Sequence, residues 1–171
     1  MNQYATYKEL GANEGARVER CSIDIPSDLK EWKGLVKSHP IVLLYVWKQS
    51  CLPCVQIKNR YEEWLHSLRR KYRDDRGIML FVKDCLDRDG GLPVEGTPSA
   101  VHNRMAQMVP FFILYYNNHI VFRHAGFEPA ILEEYIDMCV SDLVTSTTPV
   151  QAPAPHGNPE NVHIQYFDAQ S

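Results

Sequence analysis

At 171 residues, with 44% hydrophobic residues and a formal net charge of −3, the chain is long enough to bury one sizeable core. Its interspersed charges exclude the basic face or Lys/Arg block of a nucleic-acid binder, and the lack of an 18-residue apolar run excludes a membrane-spanning helix. The five cysteines, at positions 21, 51, 54, 85 and 139, are odd in number with one close pair, a poor disulfide framework that directs attention to the pair itself.

Residues 1–20 are polar, contain Gly11 and Gly15 and show little periodicity, so they read as an arm outside the folded domain. They hold no apolar stretch of signal-peptide type, which predicts an intracellular, cytoplasmic and reducing setting where cysteines stay thiols unless catalytic or metal-bound. Residues 21–25 form a short predicted strand in which Cys21, Ile23 and Ile25 alternate with Ser22 and Asp24. Pro26-Ser27 then opens a helix, with Ser27 as N-cap and Leu29, Trp32 and Val36 at helical spacing; Ser38-His39-Pro40 ends it.

The run Ile41–Trp47, IVLLYVW, is apolar throughout rather than alternating, as suits a central strand covered on both faces. It leads into Cys51-Leu52-Pro53-Cys54, after which Ile57, Tyr61, Trp64, Leu65, Leu68 and Tyr72 follow a 3.6-residue period and form one stripe. The basic cluster Arg69-Arg70-Lys71-Tyr72-Arg73, followed by Asp74-Asp75, reads as a solvated helix end, and Gly77 is expected to close the helix. Residues 78–82 are a second β-rich run, so strand, helix and strand make a βαβ unit with parallel strands.

Residues 84–96 are polar and glycine-containing and read as a loop. Thr97-Pro98 is an N-cap followed by a proline at the first helical position, predicting a short helix that buries Val101 and Met105. Phe111–Tyr116, the turn Asn117-Asn118 and residues 119–123 form an antiparallel hairpin, asparagine being able to take the positive φ values of a two-residue turn. Glu128-Pro129 begins a last helix with Leu132, Tyr135, Ile136, Cys139 and Leu143 on one face. The folded domain is thus expected over 21–144. From Thr145 the composition turns proline-rich, giving a tail, 145–171, of extended character. Its VHIQYF patch alternates as on an edge strand and could dock on an assembly partner or back on the domain.

A CxxC pair at a helix start has three readings. As a redox couple, Cys51 sits where N-terminal amides stabilise a thiolate, and Cys54, three residues on, is in reach to resolve a mixed disulfide. Zinc requires four ligands, yet there is no second CxxC or matching histidine pair. Two small core residues without chemistry are the third reading, but a turn beside a proline is exposed. Outside the pair, Cys85 near a strand end reads as packing more than as a regulatory thiol, Cys21 and Cys139 as core, Trp32 and Trp64 as core, and His119 and His124 as exposed strand residues.

Together these features resemble the thioredoxin family over residues 21–143. The resemblance is carried by the strand IVLLYVW with Trp47 four residues before Cys51, by the CxPC loop with Pro53, and by Met108-Val109-Pro110 leading into FFILYY. It implies an α/β thioredoxin fold, with a central mixed β-sheet flanked by helices, and a thiol–disulfide oxidoreductase acting on protein disulfides or dithiols without a cofactor. Cys51 would be the attacking nucleophile and Cys54 the resolving thiol. Pro110 matches the family's cis-proline, with Val109 pairing to substrate as an added strand, and Ala125-Gly126 matches the third loop of the substrate groove. Trp47, Leu52 and Pro53 complete that rim, Trp47 reading equally as structural support and as substrate contact.

The chain also departs from the family pattern. Thioredoxins bury an aspartate two residues before the tryptophan to take the proton from the second cysteine; Tyr45 stands there. Ser50, Leu52 and Val55 replace the tryptophan, glycine and lysine of the usual loop, and Asn59 lies near the place of the kinking proline. The competing expectation is a thioredoxin-like scaffold or adaptor, held in a larger assembly such as a virus particle by its arm and tail.

Overall fold

A computed structural model describes residues 18–74, 76–87 and 108–147. Residues 1–17 of the arm, the helix expected after Thr97 and the tail beyond 147 lie outside the described residues. The order is β1 (Ile23–Asp24), α1 (Leu29–Ser38), β2 (Ile41–Trp47), α2 (Leu52–Tyr72), β3 (Met79–Cys85), β4 (Phe111–Tyr116), β5 (His119–Ala125) and α3 (Pro129–Thr147). The five strands form one sheet in the order β1-β3-β2-β4-β5. β3 runs parallel to both β1 and β2, whereas β4 is antiparallel to β2 and to β5. The architecture is α/β, a mixed sheet between helices.

β2 lies at the centre, and its alternate residues feed two cores. Ile41, Leu43 and Tyr45 face α2 and α3, where they meet Tyr61, Leu65, Leu68, Leu132 and Ile136. Val42, Leu44 and Val46 face the opposite layer with Trp32 and Val36 of α1. Six of the strand's seven residues are buried, which is why it reads as a continuous apolar run: with both faces covered there is no polar side to alternate. On the α2 face Tyr45 stacks on Phe112 with ring centroids 4.8 Å apart, and Tyr61 and Phe127 complete the aromatic cluster. The hairpin turn has positive φ at both Asn117 and Asn118, the conformation that matches strand twist.

Several boundaries differ from the sequence expectation, each for a local reason. The cap of α1 is Asp28, not Ser27; its carboxylate accepts the Lys30 N–H at 3.2 Å, and aspartate caps as well as serine. α2 ends at Arg73, which adopts the left-handed conformation at φ 48° and donates its N–H back to the Arg69 and Arg70 carbonyls. Gly77, with φ of 65°, serves the turn into β3 instead. α3 continues to Thr147, so the first three residues of the segment read as tail are helical. In the stretch around β1 Ile25 is buried as the alternation predicts, but Ser22 is buried and Ile23 exposed, the reverse of the expectation at those two positions.

That reversal has an electrostatic cause. Glu62, on α2, is buried in the core and accepts from the Ser22 hydroxyl at 2.5 Å and from the Cys21 and Ser22 amides at 2.8 and 3.2 Å. Its other partner is the Lys83 ammonium on β3, 3.4 Å away, and both side chains are more than nine-tenths buried. Burial opposes ionisation of Glu62, but the Ser22 hydroxyl, the two amides and Lys83 outweigh it and hold the carboxyl below its ordinary range. This pair also explains why β3 extends through Cys85 and not only to residue 82: Lys83 and Asp84 are polar in sequence but buried in the strand. Further along α2, Trp64 and Tyr72 donate to Glu133 and Asp137 of α3.

Removing Glu62 strands the Lys83 charge in the core. Glu62→Ala is therefore expected to lower unfolding stability by about 3 kcal/mol at neutral pH, measured by chemical denaturation. Because the folded carboxyl titrates below its unfolded value, its contribution is complete above about pH 4.3 and fades as pH falls through the folded value. The difference between wild type and variant should shrink accordingly in acid.

Candidate functional site

The carboxyl end of β2 delivers the chain to a tight turn before α2. Leu86 N–H donates to the Trp47 carbonyl at 2.9 Å, tying β3 to the last residue of β2. The carboxylate of Asp87 accepts the Gln49 amide at 2.6 Å and the Ser50 amide at 3.0 Å, so both its oxygens brace the turn. The Cys85 thiol donates to the same carboxylate at 3.3 Å. Partial desolvation opposes ionisation of Asp87, but the Ser50 and Gln49 amides prevail and hold its carboxyl well below the usual carboxylate range. The same surroundings act oppositely on Cys85: burial first, then the Asp87 carboxylate, push its thiol upward.

Cys51 is the N-cap of α2, in extended conformation, with proline in the first turn. Its sulfur accepts the Cys54 N–H at 3.2 Å, so the side chain satisfies one of the amides that a helix start leaves unpaired. Those amides and the positive end of the helix favour negative charge on this sulfur. Cys51 and Cys54 are joined by a disulfide, their Cα atoms 5.3 Å apart. The two sulfurs are placed differently: Cys51 is part-exposed whereas Cys54 is buried, with 1% of its surface accessible.

Across from Cys51 is the start of β4. The Cys51 sulfur lies 3.6 Å from the Val109 carbonyl, and the Val109–Pro110 peptide bond is cis. Pro110 is buried and its carbonyl accepts the Gly126 N–H at 2.8 Å, while Ala125 pairs with Phe111. The structure thus brings Cys51, Cys54, Val109, Pro110, Ala125 and Gly126 to one end of the sheet. Gly126 takes a φ of 88°, which a residue with a Cβ rarely adopts. Leu52 and Pro53 project to solvent beside the pair. Leu52, Val55 and Met108 are 67%, 50% and 65% exposed, giving an apolar rim around the disulfide.

Trp47 points the other way. With Tyr45, Cys54, Lys58, Tyr61 and Lys83 it lines a cavity of about 20 Å³ beneath the pair, and the Lys83 ammonium lies 5.9 Å from its ring centroid. Burial, with a smaller contribution from Cys85, pushes the Tyr45 hydroxyl well above its ordinary value, and burial does the same to Tyr61. Sequence reasoning missed Asp87, Lys83, Glu62 and Tyr61 as neighbours of the site. Asp87 sits in a segment whose polarity suggests a loop and Lys83 just before it, and only the β2–β3 register, Tyr45 against Lys83 and Trp47 against Cys85, reveals where they lie. Among the described residues no group of three or more His, Cys, Asp or Glu side chains is placed to hold a metal ion.

If Asp87 braces the turn, its loss frees two amides without touching the sheet. Amide hydrogen exchange at Gln49 and Ser50 should accelerate by about tenfold or more in Asp87→Ala, with exchange at Leu44 unchanged.

No protein-family model matches the sequence, and no curated protein matches it either. Solved structures do. The thioredoxin of Malassezia sympodialis superposes with a TM-score of 0.51 at 19% identity, covering 74% of this chain and 98% of that one. For the thioredoxin of Trypanosoma brucei brucei the TM-score is 0.51 at 14% identity, over 77% and 96% of the two chains. Thioredoxin f from spinach chloroplast gives 0.50 at 17% identity, over 72% and 97%. At such identities the likeness concerns architecture, and with the strand order and the placement of the cysteine pair it establishes that this chain has the thioredoxin fold.

Proposed function

We propose that the protein is a thiol–disulfide oxidoreductase that exchanges disulfides with protein substrates through Cys51 and Cys54. The observation that carries this reading is the asymmetric pair at the start of α2: an accessible sulfur capping the helix at Cys51, bonded to a buried one at Cys54. A structural disulfide gains nothing from such a position, whereas an exchanging one needs one sulfur that substrate reaches and one that it does not.

In the reduced protein the Cys51 thiolate, favoured by the Cys54 amide and the helix end, attacks one sulfur of a substrate disulfide. A bond forms from Cys51 to that sulfur, and the substrate's own disulfide bond breaks. The other substrate sulfur leaves with the electron pair and takes a proton from solvent. Cys54 then attacks Cys51 as a thiolate, the mixed disulfide breaks, and the substrate departs reduced by two electrons. The protein retains the Cys51–Cys54 disulfide, which an external dithiol returns to two thiols. The Val109 carbonyl, 3.6 Å from the Cys51 sulfur, is placed to pair with the backbone of an extended substrate segment. Leu52, Val55 and Met108 favour apolar side chains flanking the substrate cysteine.

The reading is tested with insulin reduction driven by dithiothreitol. Cys51→Ser should reduce the rate to that of dithiothreitol alone, and Cys54→Ser, pre-reduced and mixed with insulin after the dithiothreitol is removed, should accumulate a mixed disulfide with substrate, visible as a mass shift that added dithiothreitol reverses. A rate unaltered by Cys51→Ser removes the enzyme reading.

A further inference from the structure

Leu52 and Val55, one turn apart at the start of α2, and Met108, two residues before Pro110, leave large apolar side chains exposed around the disulfide. Clustered apolar exposure marks a surface that something else covers. The ladder pairs of β4 begin at Phe111, which leaves Val109 outside the ladder with its carbonyl 3.6 Å from the Cys51 sulfur. The shape fits an extended segment with apolar side chains at alternate positions.

The chain carries such a segment at 162–167, VHIQYF, where Val162, Ile164 and Tyr166 alternate. Its reach follows from α3. That helix starts beside the site, three residues after Gly126, whose N–H is bonded to the Pro110 carbonyl, and runs away from it: Tyr116, at the far end of β4, donates to Asp142 at 2.5 Å. Its 19 residues span about 28 Å at 1.5 Å each, so residue 148 leaves the domain about that far from the pair. The next 14 residues, 148–161, include Pro149, Pro153, Pro155 and Pro159. At about 3.1 Å per residue such a proline-rich spacer reaches about 43 Å, enough to return along α3 to the cysteine pair. Adding a strand to the outer edge of β5, which starts beside the end of α3, needs only a short turn and no such spacer. Charge agrees as well: residues 145–171 contain Glu160 and Asp168 and no Lys or Arg, whereas Lys48 and Lys58 flank the pair.

We propose that residues 162–167 of this same chain lie as an extended strand across the mouth of the site, along the Val109 backbone, with Val162, Ile164 and Tyr166 against Leu52, Val55 and Met108. The five cysteines all precede residue 140, so this occupant has no sulfur to exchange. It shields Cys51 and competes with substrate from a local concentration in the mM range that the tether sets. Docking itself needs no turnover; its regulatory consequence rests on the exchange reaction proposed above.

The test uses the full chain. In a Cys54→Ser background, at low protein concentration and with oxidised glutathione as the two-electron acceptor, Ile164→Cys puts a thiol on the apolar face of the segment. Gln165→Cys, on the same tether, puts it on the opposite face. Peptide mapping should show a bond within one chain from Cys51 to position 164, formed about tenfold faster than to position 165. In the otherwise native reduced protein, Ile164→Asp with Tyr166→Asp should raise the iodoacetamide alkylation rate of Cys51 by about tenfold. Equal bonding rates at the two positions, or an alkylation rate that does not rise, overturns the proposal. Bonds that join two chains overturn it too, in favour of a second copy as the occupant. Face-selective bonding in a protein that fails to reduce insulin even with the two aspartates removes the exchange reading and leaves the docking standing; insulin reduction without face-selective bonding does the reverse.

Discussion

A strand hydrogen-bonded along both edges and covered on both faces has fixed position and direction, and β2 is that strand here. Its neighbours β3 and β4 hold it on either side, and its alternate residues anchor two separate cores. The parallel run of β3 requires the intervening helix to cross back over the sheet. The turn between β2 and α2 is thereby placed at the carboxyl end of the sheet, where ligand sites of open α/β sheets collect. The antiparallel hairpin of β4 and β5 then brings Val109 and Gly126 to the same end. The cysteine pair is thus positioned by burial elsewhere, and its own side chains are free to serve chemistry.

The site is an exercise in unequal electrostatics. Cys51 faces helix amides and solvent, Cys54 a small cavity with ammonium and hydroxyl donors, and Cys85 an anionic carboxylate. Burial and the Asp87 carboxylate beside it hold the Cys85 thiol above its ordinary value. Asp87 unites structural and chemical roles: it binds the two amides that lead into the pair and adds to the burial that pushes the Cys85 thiol up. The Glu62–Lys83 pair does similar double duty, holding the approach to β1 while keeping a cation at the cavity.

Most of the fold was legible because periodicity reports burial. The unbroken run Ile41–Trp47, the stripe on α2 and the two asparagines of the hairpin turn each have a direct physical meaning, and each proved structural. What escaped was polar and buried. Lys83 and Glu62 carry charge in sequence but satisfy each other across about 70 Å of extended chain, a pairing that no local window contains. Ser22 is buried for the same reason, as a donor to Glu62. The cysteine pair and the Val109-Pro110 approach were readable from spacing and resemblance. Asp87 was not, because its role depends on a register between β2 and β3 and not on any motif. Tyr45 could be seen as a departure from pattern, but its place over a small cavity shared with Lys83 follows from the register of β2 and β3.

The central claim is that the Cys51–Cys54 disulfide exchanges with substrates instead of stapling the fold. Its reduction potential, from equilibration with defined glutathione ratios and mass-spectrometric counting of free thiols, addresses this most directly. The account predicts a reversible two-electron couple between roughly −270 and −120 mV, the span of exchanging dithiols. A value below about −300 mV, as structural disulfides show, would contradict it.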